Sequence, residues 1–347
     1  MLDYDYTRNA IRSRAEMNDW HARHGEPVLE PELPIIDAHH HIWTHPGREY
    51  SAEDMLANAN LGHNIVATVF IEGSSQHLSD GPVELRPTGE TGFVVRNVSC
   101  LPEKGDRIAA AIVGHADLRL GKGLAPVLDA HIALAGGRFR GIRQHLRWDA
   151  SGIGMFGRAD PAHLAADAAF RAGFSLLASR QLSFDAWAFH HQLDEIADLA
   201  RAFPDTTVIV NHVGGPLGVG PYSNRRNEIF LEWREGIKAL AGCPNVAMKL
   251  GGLGMLYYGF GFHRRDTPPN SLDLASAWRP YVMTCIDCFG VGRCMFESNF
   301  PVDGQSTSYL VLWNAFKRIT KDFTAEEKLD LYCRSAASAY KITSTKF

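Results

Sequence analysis

Short apolar runs recur along this chain, separated by longer segments in which apolar residues return every three or four positions. The runs at 35–38, 65–72, 110–116, 139–145, 182–187, 207–212, 245–251 and 293–299 read as strands. Between them lie amphipathic stretches such as Gln192 to Phe203, where Leu193, Ile196, Leu199, Ala200 and Phe203 mark one helical face. Eight strands alternating with helices imply βαβ units and a parallel sheet, and eight suggests closure into a (β/α)8 barrel. The fold class is therefore α/β, a TIM barrel in one domain over residues 33–347. Residues 1–32 are polar and charged, and read as a partly helical N-terminal extension packed on a neighbouring surface or another subunit. Residues 73–106 and 252–280 show little regular pattern and several Gly and Pro breakers. Both follow strands, so both belong to the C-terminal face of the barrel, as functional loops.

A parallel strand buried on both faces should be apolar throughout. Here the strands end in polar side chains instead. Asp37-Ala38-His39-His40-His41-Ile42-Trp43 closes the first, and strand alternation puts His39 and His41 on one face, as a metal-ligand pair or an acid/base pair. The second ends at Glu72. The fourth carries Arg143 and His145 on one face, and the fifth leads to His190 and His191. The sixth ends in Asn211-His212, the seventh carries Lys249, and the eighth runs Met295-Phe296-Glu297-Ser298-Asn299 before Pro301 and Asp303. Lys249 could pair with Glu297 inside the barrel, and Arg147 with Asp149.

Composition narrows the field. With 45% hydrophobic residues the 347-residue chain can bury a large core, and a net charge of −4 offers nothing to nucleic acid or an anionic membrane surface. No run of 18 apolar residues marks a membrane span, and the start lacks an apolar signal core, so an intracellular, cytoplasmic protein is expected. The six cysteines form no framework, and Cys285-Ile-Asp-Cys288 falls in a helix rather than at the opening of one after a strand; packed, reduced thiols are expected.

Ile-Asp-Ala-His-x-His-x-Trp, Gly-Ile-Arg, Leu-Ser-Phe-Asp, Asn-His-x-Gly-Gly-Pro, Lys-Leu-Gly-Gly-Leu and Met-Phe-Glu-Ser-Asn-Phe-Pro-Val-Asp occur here in one order. As a set, over about residues 34 to 340, they resemble the amidohydrolase superfamily. The branch is the amidohydrolase-2 group, with 2-pyrone-4,6-dicarboxylate lactonase and related sugar and muconate lactone hydrolases. The resemblance implies a distorted (β/α)8 barrel and hydrolysis of a small molecule, most often a lactone. It assigns His39 and His41 to the strand-one histidine pair, His212 to the later barrel histidine, and Arg143 to the arginine that holds a substrate carboxylate. Where the superfamily normally ends its last strand in an Asp that deprotonates water, this chain has Asn299. An amide cannot serve as a general base.

The proton must then go elsewhere. Asp303 in the following loop, Glu297 if it is not too deep, or a histidine such as His212 or His190 could take it. His39, His41 and His212 could hold a divalent metal, zinc or manganese, with water in the fourth position. The resembling lactonases also include members that work without metal, using histidines as donors to the carbonyl oxygen. His145, His190 and Tyr257 are candidate substrate contacts beside Arg143 and Arg147. The expected partner is a carboxylate-bearing lactone or cyclic ester, and a dimer or larger assembly fits the extension and the barrel type. A metal-dependent decarboxylase or hydratase of an unsaturated or aromatic carboxylate is the alternative reaction, and a non-catalytic binding barrel the third reading.

Overall fold

A computed structural model describes residues 10–102, 105–154 and 161–343. Eight parallel strands follow one another around the sheet in chain order. They are β1 (Ile35–His40), β2 (Ile65–Ile71), β3 (Ala111–Gly114), β4 (Phe139–His145), β5 (Ser183–Trp187), β6 (Val208–Val210), β7 (Val246–Leu250) and β8 (Cys294–Phe296). All eight are those read from the apolar runs, each within a few residues. Along the chain lie α1 (Arg14–His21), α2 (Ala52–Ala59), α3 (Thr88–Ser99), α4 (Ala125–Leu134), α5 (Ala168–Phe174), α6 (Leu176–Ser179), α7 (Leu193–Ala202), α8 (Arg226–Ala241), α9 (Ser271–Phe289), α10 (Tyr309–Ile319), α11 (Ala325–Leu329) and α12 (Ser335–Ala339). The structure is the single (β/α)8 barrel that the alternation of strands and helices implies.

Helix α7 is where the period of three and four predicts it, with Leu193, Ile196, Leu199 and Ala200 buried against the barrel. Helix α3 is not. It forms inside the stretch read as irregular, from Thr-Gly-Glu-Thr-Gly-Phe-Val-Val, whose glycines and β-branched residues are weak helix formers. Packing of Val94 and Val98 into the core overrides that local preference. Cys285 and Cys288 lie in α9 as free thiols. No described helix is long and apolar enough to cross a membrane.

The ring closes between β1 and the end of β8. His41 N–H donates to the Phe300 carbonyl at 2.8 Å, and Asn299 N–H to the His39 carbonyl at 2.9 Å. Asp37 locks this seam from below. Its Oδ1 accepts the Ser298 N–H at 2.8 Å, and its Oδ2 accepts the Tyr309 hydroxyl at 3.0 Å, from α10. Burial raises the Asp37 pKa to about 6. The N-terminal segment crosses the mouth of its own barrel: Trp20 donates to the Arg265 carbonyl at 3.0 Å, and Gln305 Oε1 accepts the N–H of Ile11 and Arg12 at 3.1 and 2.9 Å.

Asp37→Ala strands the Ser298 N–H and the Tyr309 hydroxyl in the interior, at about 1–3 kcal/mol for each group. Asp37→Asn keeps an acceptor and costs much less. Urea unfolding of both variants measures the difference; equal losses would remove Asp37 from the seam.

Candidate active site

Strand alternation works as predicted at the end of β1. His39 and His41 face the barrel interior, with their Nε2 atoms 3.3 Å apart. His40 turns the other way, its Nε2 2.8 Å from the Thr68 hydroxyl. His41 donates from Nδ1 to the Ile71 carbonyl at 2.9 Å, which leaves Nε2 as its acceptor atom. His41 also stacks on Trp43, ring centroids 5.0 Å apart.

Glu297, just past β8, lies fully buried between two of these imidazoles. Its Oε1 accepts both the backbone N–H of His212 at 3.1 Å and the His212 Nδ1–H at 2.7 Å. Its Oε2 sits 2.9 Å from His39 Nδ1 but outside hydrogen-bonding geometry. The carboxylate fixes the His212 tautomer, so that Nε2 carries the lone pair. Burial lowers the His212 pKa, and the Glu297 charge opposes that shift. Burial, and then the Lys249 ammonium, push His39 well below the ordinary histidine range. His39, His212 and Glu297 have donor atoms that all lie within 4.8 Å of one another. Glu297 thus joins His39 and His212 in the group where sequence reasoning had set His41.

This crowding needs bare backbone just past β7. A side chain at Gly252, where φ is +67°, would come within 2.3 Å of His212 Nδ1, and one at Gly251 within 2.4 Å of Glu297. The histidine turn is itself strained. His212 and Val213 have φ of +56° and +48°, and Asn299 has +53°. A β-branched residue rarely adopts such a conformation, and strain of this kind gathers at functional sites.

On the opposite wall, Arg143 of β4 donates from Nε to Glu72 at 2.7 Å and from Nη2 to the Glu72 carbonyl, and its Nη1 lies 3.3 Å from His39 Nε2. His145 Nε2 is 3.3 Å from the same Glu72 oxygen. Burial raises the Glu72 pKa, but the Arg143 charge overcomes this and pulls it well below the usual carboxylate range. Glu90 of α3, silent in the sequence reading, accepts the N–H of Gly73 and Ser75 at 3.0 and 2.9 Å. Burial and the Glu72 charge hold Glu90 well above the ordinary carboxyl range. Trp187 lies under both guanidiniums, 5.6 Å from Arg143 and 4.2 Å from Arg147. Arg147 donates to the Gly154 carbonyl, while Asp149 is engaged by Ser151 and Tyr222. Lys249 pairs with Asp185 at 2.7 Å rather than with Glu297, and Asn211 and Tyr340 also donate to Asp185.

The remaining candidates divide. His41, Arg143, His145, Arg147, His212 and Asn299 line one cavity of about 530 Å³ at the barrel mouth. Among the described residues, Asp303, His190 and Tyr257 do not line it. Asp303 lies beneath Asn299. Its Oδ1 accepts the Asn299 amide at 2.8 Å and its Oδ2 the Gly254 N–H at 2.8 Å, and burial raises its pKa well above the ordinary value. His190 accepts the Leu217 N–H at 3.4 Å, and the Tyr257 hydroxyl lies 2.7 Å from the Met255 sulfur. Trp187, Glu297 and Glu72 stand at strand ends, so the polar or aromatic break in an apolar run was their signal.

Two measurements probe this packing. The folded protein keeps Glu90 protonated above its ordinary 4.5, where the unfolded chain has released that proton, so stability falls as pH rises from there. Glu90→Gln keeps the acceptor for Gly73 and Ser75, and should gain Tm over wild type from pH 5 to about pH 8 and level off beyond. A constant offset would mean that Glu90 does not titrate in this way. Gly252→Ala should cost about 1–3 kcal/mol in urea unfolding, from overpacking against His212; an unchanged midpoint would remove the close approach as a constraint.

A family model described as amidohydrolase matches residues 36–342. An uncharacterised protein of Sinorhizobium fredii is 33% identical over 335 residues, covering 90% of this chain and 99% of that protein. L-fucono-1,5-lactonase of Burkholderia multivorans is 25% identical over 315 residues, covering 88% and 96%. In structure, an amidohydrolase of Burkholderia multivorans with bound Zn superposes with a TM-score of 0.69 at 22% identity, covering 89% of this chain and 99% of that one. A barrel whose first strand ends in a histidine pair, matched by the family model over nearly its whole length, places this chain in the amidohydrolase family, among hydrolytic enzymes acting on small molecules.

Proposed function

We propose that this enzyme opens a small lactone, or related cyclic ester, that carries a carboxylate. The observation that carries the reading is the His212–Glu297 pair set across one cavity from Arg143. The lactone-acting relative, L-fucono-1,5-lactonase, supports the reaction class. Arg143 and Arg147 bind the substrate carboxylate, since a guanidinium pairs with a carboxylate bidentately. Asn299 gives its amide N–H to Asp303, which leaves its Oδ1 to accept a hydrogen bond from the attacking water. His212 takes the proton from that water at Nε2, and Glu297 stabilises the imidazolium through Nδ1–H. His212 then returns the proton to the leaving ring oxygen. This assigns the base to His212 and leaves Asp303 to orient Asn299.

His39, His212 and Glu297 also fit a divalent cation such as zinc: two imidazoles, a carboxylate, and a buried Glu297 Oε2 that accepts no hydrogen bond among the described residues. Such an ion, when bound, supplies Lewis-acid polarisation of the carbonyl and a water of lowered pKa.

The test is proton release with a panel of carboxylated and neutral lactones, in wild type and in His212→Asn. Hydrolysis of a carboxylated lactone, lowered by about 10²–10⁴-fold in the variant, is expected. No turnover of any lactone, with carbon dioxide released from an unsaturated carboxylate instead, would move the chain to the decarboxylase reading that Asn299 in place of Asp keeps in view. Plasma mass spectrometry before and after chelation assigns His212 its role. About one equivalent of metal, lost together with activity, makes it a ligand; metal-free enzyme at full activity leaves it the base.

A further inference from the structure

The cavity has a roof that the family match does not include. That match begins at residue 36, yet Arg12, Arg14, Met17, Asn18 and His21 line the same cavity as Arg143 and His212. The segment is held there by its own bonds. Gln305 Oε1 accepts from the N–H of Ile11 and Arg12, and Gln305 Nε2 donates back to the Arg12 carbonyl at 3.0 Å. Ser13 and Glu16 cap α1 reciprocally, and His21 Nε2 donates to the Gly304 carbonyl at 2.7 Å. The next loop after β8, which also carries Asn299, is therefore clamped to the N-terminal segment.

The charges on this roof are unequal. Arg14 is paired with Asp54, as Arg143 is with Glu72. Arg12 stacks over Trp20 at 4.3 Å, and its only polar side-chain contact among the described residues is a long bond of 3.4 Å to the Gln305 carbonyl. Among the described residues no carboxylate lies within ion-pair distance of Arg12. Its guanidinium is half-buried, on a rigid aromatic platform, beside a cavity that already holds Arg143 and Arg147. The acid that acts on it, Glu16, lies beyond ion-pair distance and is engaged by Ser13, so this partly desolvated cation fits an anion that arrives with the ligand.

We propose that Arg12 is a specificity-determining residue that binds a second anionic group of the substrate, away from the carboxylate held by Arg143 and Arg147. The substrate class narrows accordingly to lactones or cyclic esters with two carboxylates, or a carboxylate and another anionic group. This rests on the lactonase reading of the same cavity.

Calorimetric binding of the full chain to tricarballylate and to valerate tests it without turnover. Wild type should bind tricarballylate at least tenfold more tightly than valerate. Arg12→Gln should lose about tenfold for tricarballylate and nothing for valerate, and Arg12→Lys should recover part of the loss. If Arg12→Gln binds both probes as wild type does, Arg12 has no such role and the inference falls while the carboxylate reading stands. If wild type binds neither probe, the carboxylate reading itself fails and takes the inference with it. Circular dichroism of the variants shows that the roof helix remains.

Discussion

Everything at the mouth of this barrel depends on one buried carboxylate. Glu297 is fully enclosed, and one of its oxygens holds both the backbone and the ring of His212 while the other sits against His39. An ion taken out of water is tolerable only when charged or hydrogen-bonded partners surround it. Here the partners are the imidazoles proposed to take part in the chemistry. Removing Glu297 would therefore take away more than a neighbour: it would free the His212 ring to choose its tautomer and remove the carboxylate oxygen that sits 2.9 Å from His39 Nδ1.

The same principle recurs around the ring. Glu72 faces Arg143 and His145, Asp185 faces Lys249, and each pair joins different strands. Arg143 and Asp185 are register partners on β4 and β5, so a positive and a negative side chain stand side by side on these neighbouring strands. Buried pairs of this sort add little net stability over apolar packing, but breaking one is costly. Their effect is to fix where each polar atom points. Arg143 cannot swing away from the histidines while Glu72 holds it by two contacts, one to the side chain and one to the backbone carbonyl.

That arrangement was partly written in the sequence. Strand positions followed from apolar runs, and the polar residues that interrupt them are those that meet at the mouth. Alternation told His39 and His41 from His40. It does not give depth or the neighbour across the barrel, so Lys249 was matched to Glu297 when Asp185 on β5 is its partner. Nor does proximity to a strand end guarantee a place on the cavity: His190 follows β5 closely and still turns toward Leu217. Asp303 was legible as a carboxylate in the right loop, but its enclosure by Asn299 and Gly254 depends on a fold-back of that loop that no periodicity records. Helix α3, which brings Glu90 to Glu72, was hidden by its glycines.

The glycines at the end of β7 show how sequence, backbone and chemistry meet. Lys-Leu-Gly-Gly-Leu is weak as a motif, and in a strand two glycines ordinarily cost order. Their use lies on the neighbouring strands. Gly252 leaves room for the His212 ring, and Gly251 leaves room for Glu297. The ring then comes close enough to β8 for one carboxylate oxygen to hold its Nδ1–H and its own backbone N–H together. The left-handed turn at His212 and Val213 brings both donors to that oxygen, and the strain is carried by the same bonds. A glycine pair after one strand, a strained turn after a second and a buried acid after a third are therefore one device. It presents a neutral imidazole, in a single tautomer, to the cavity.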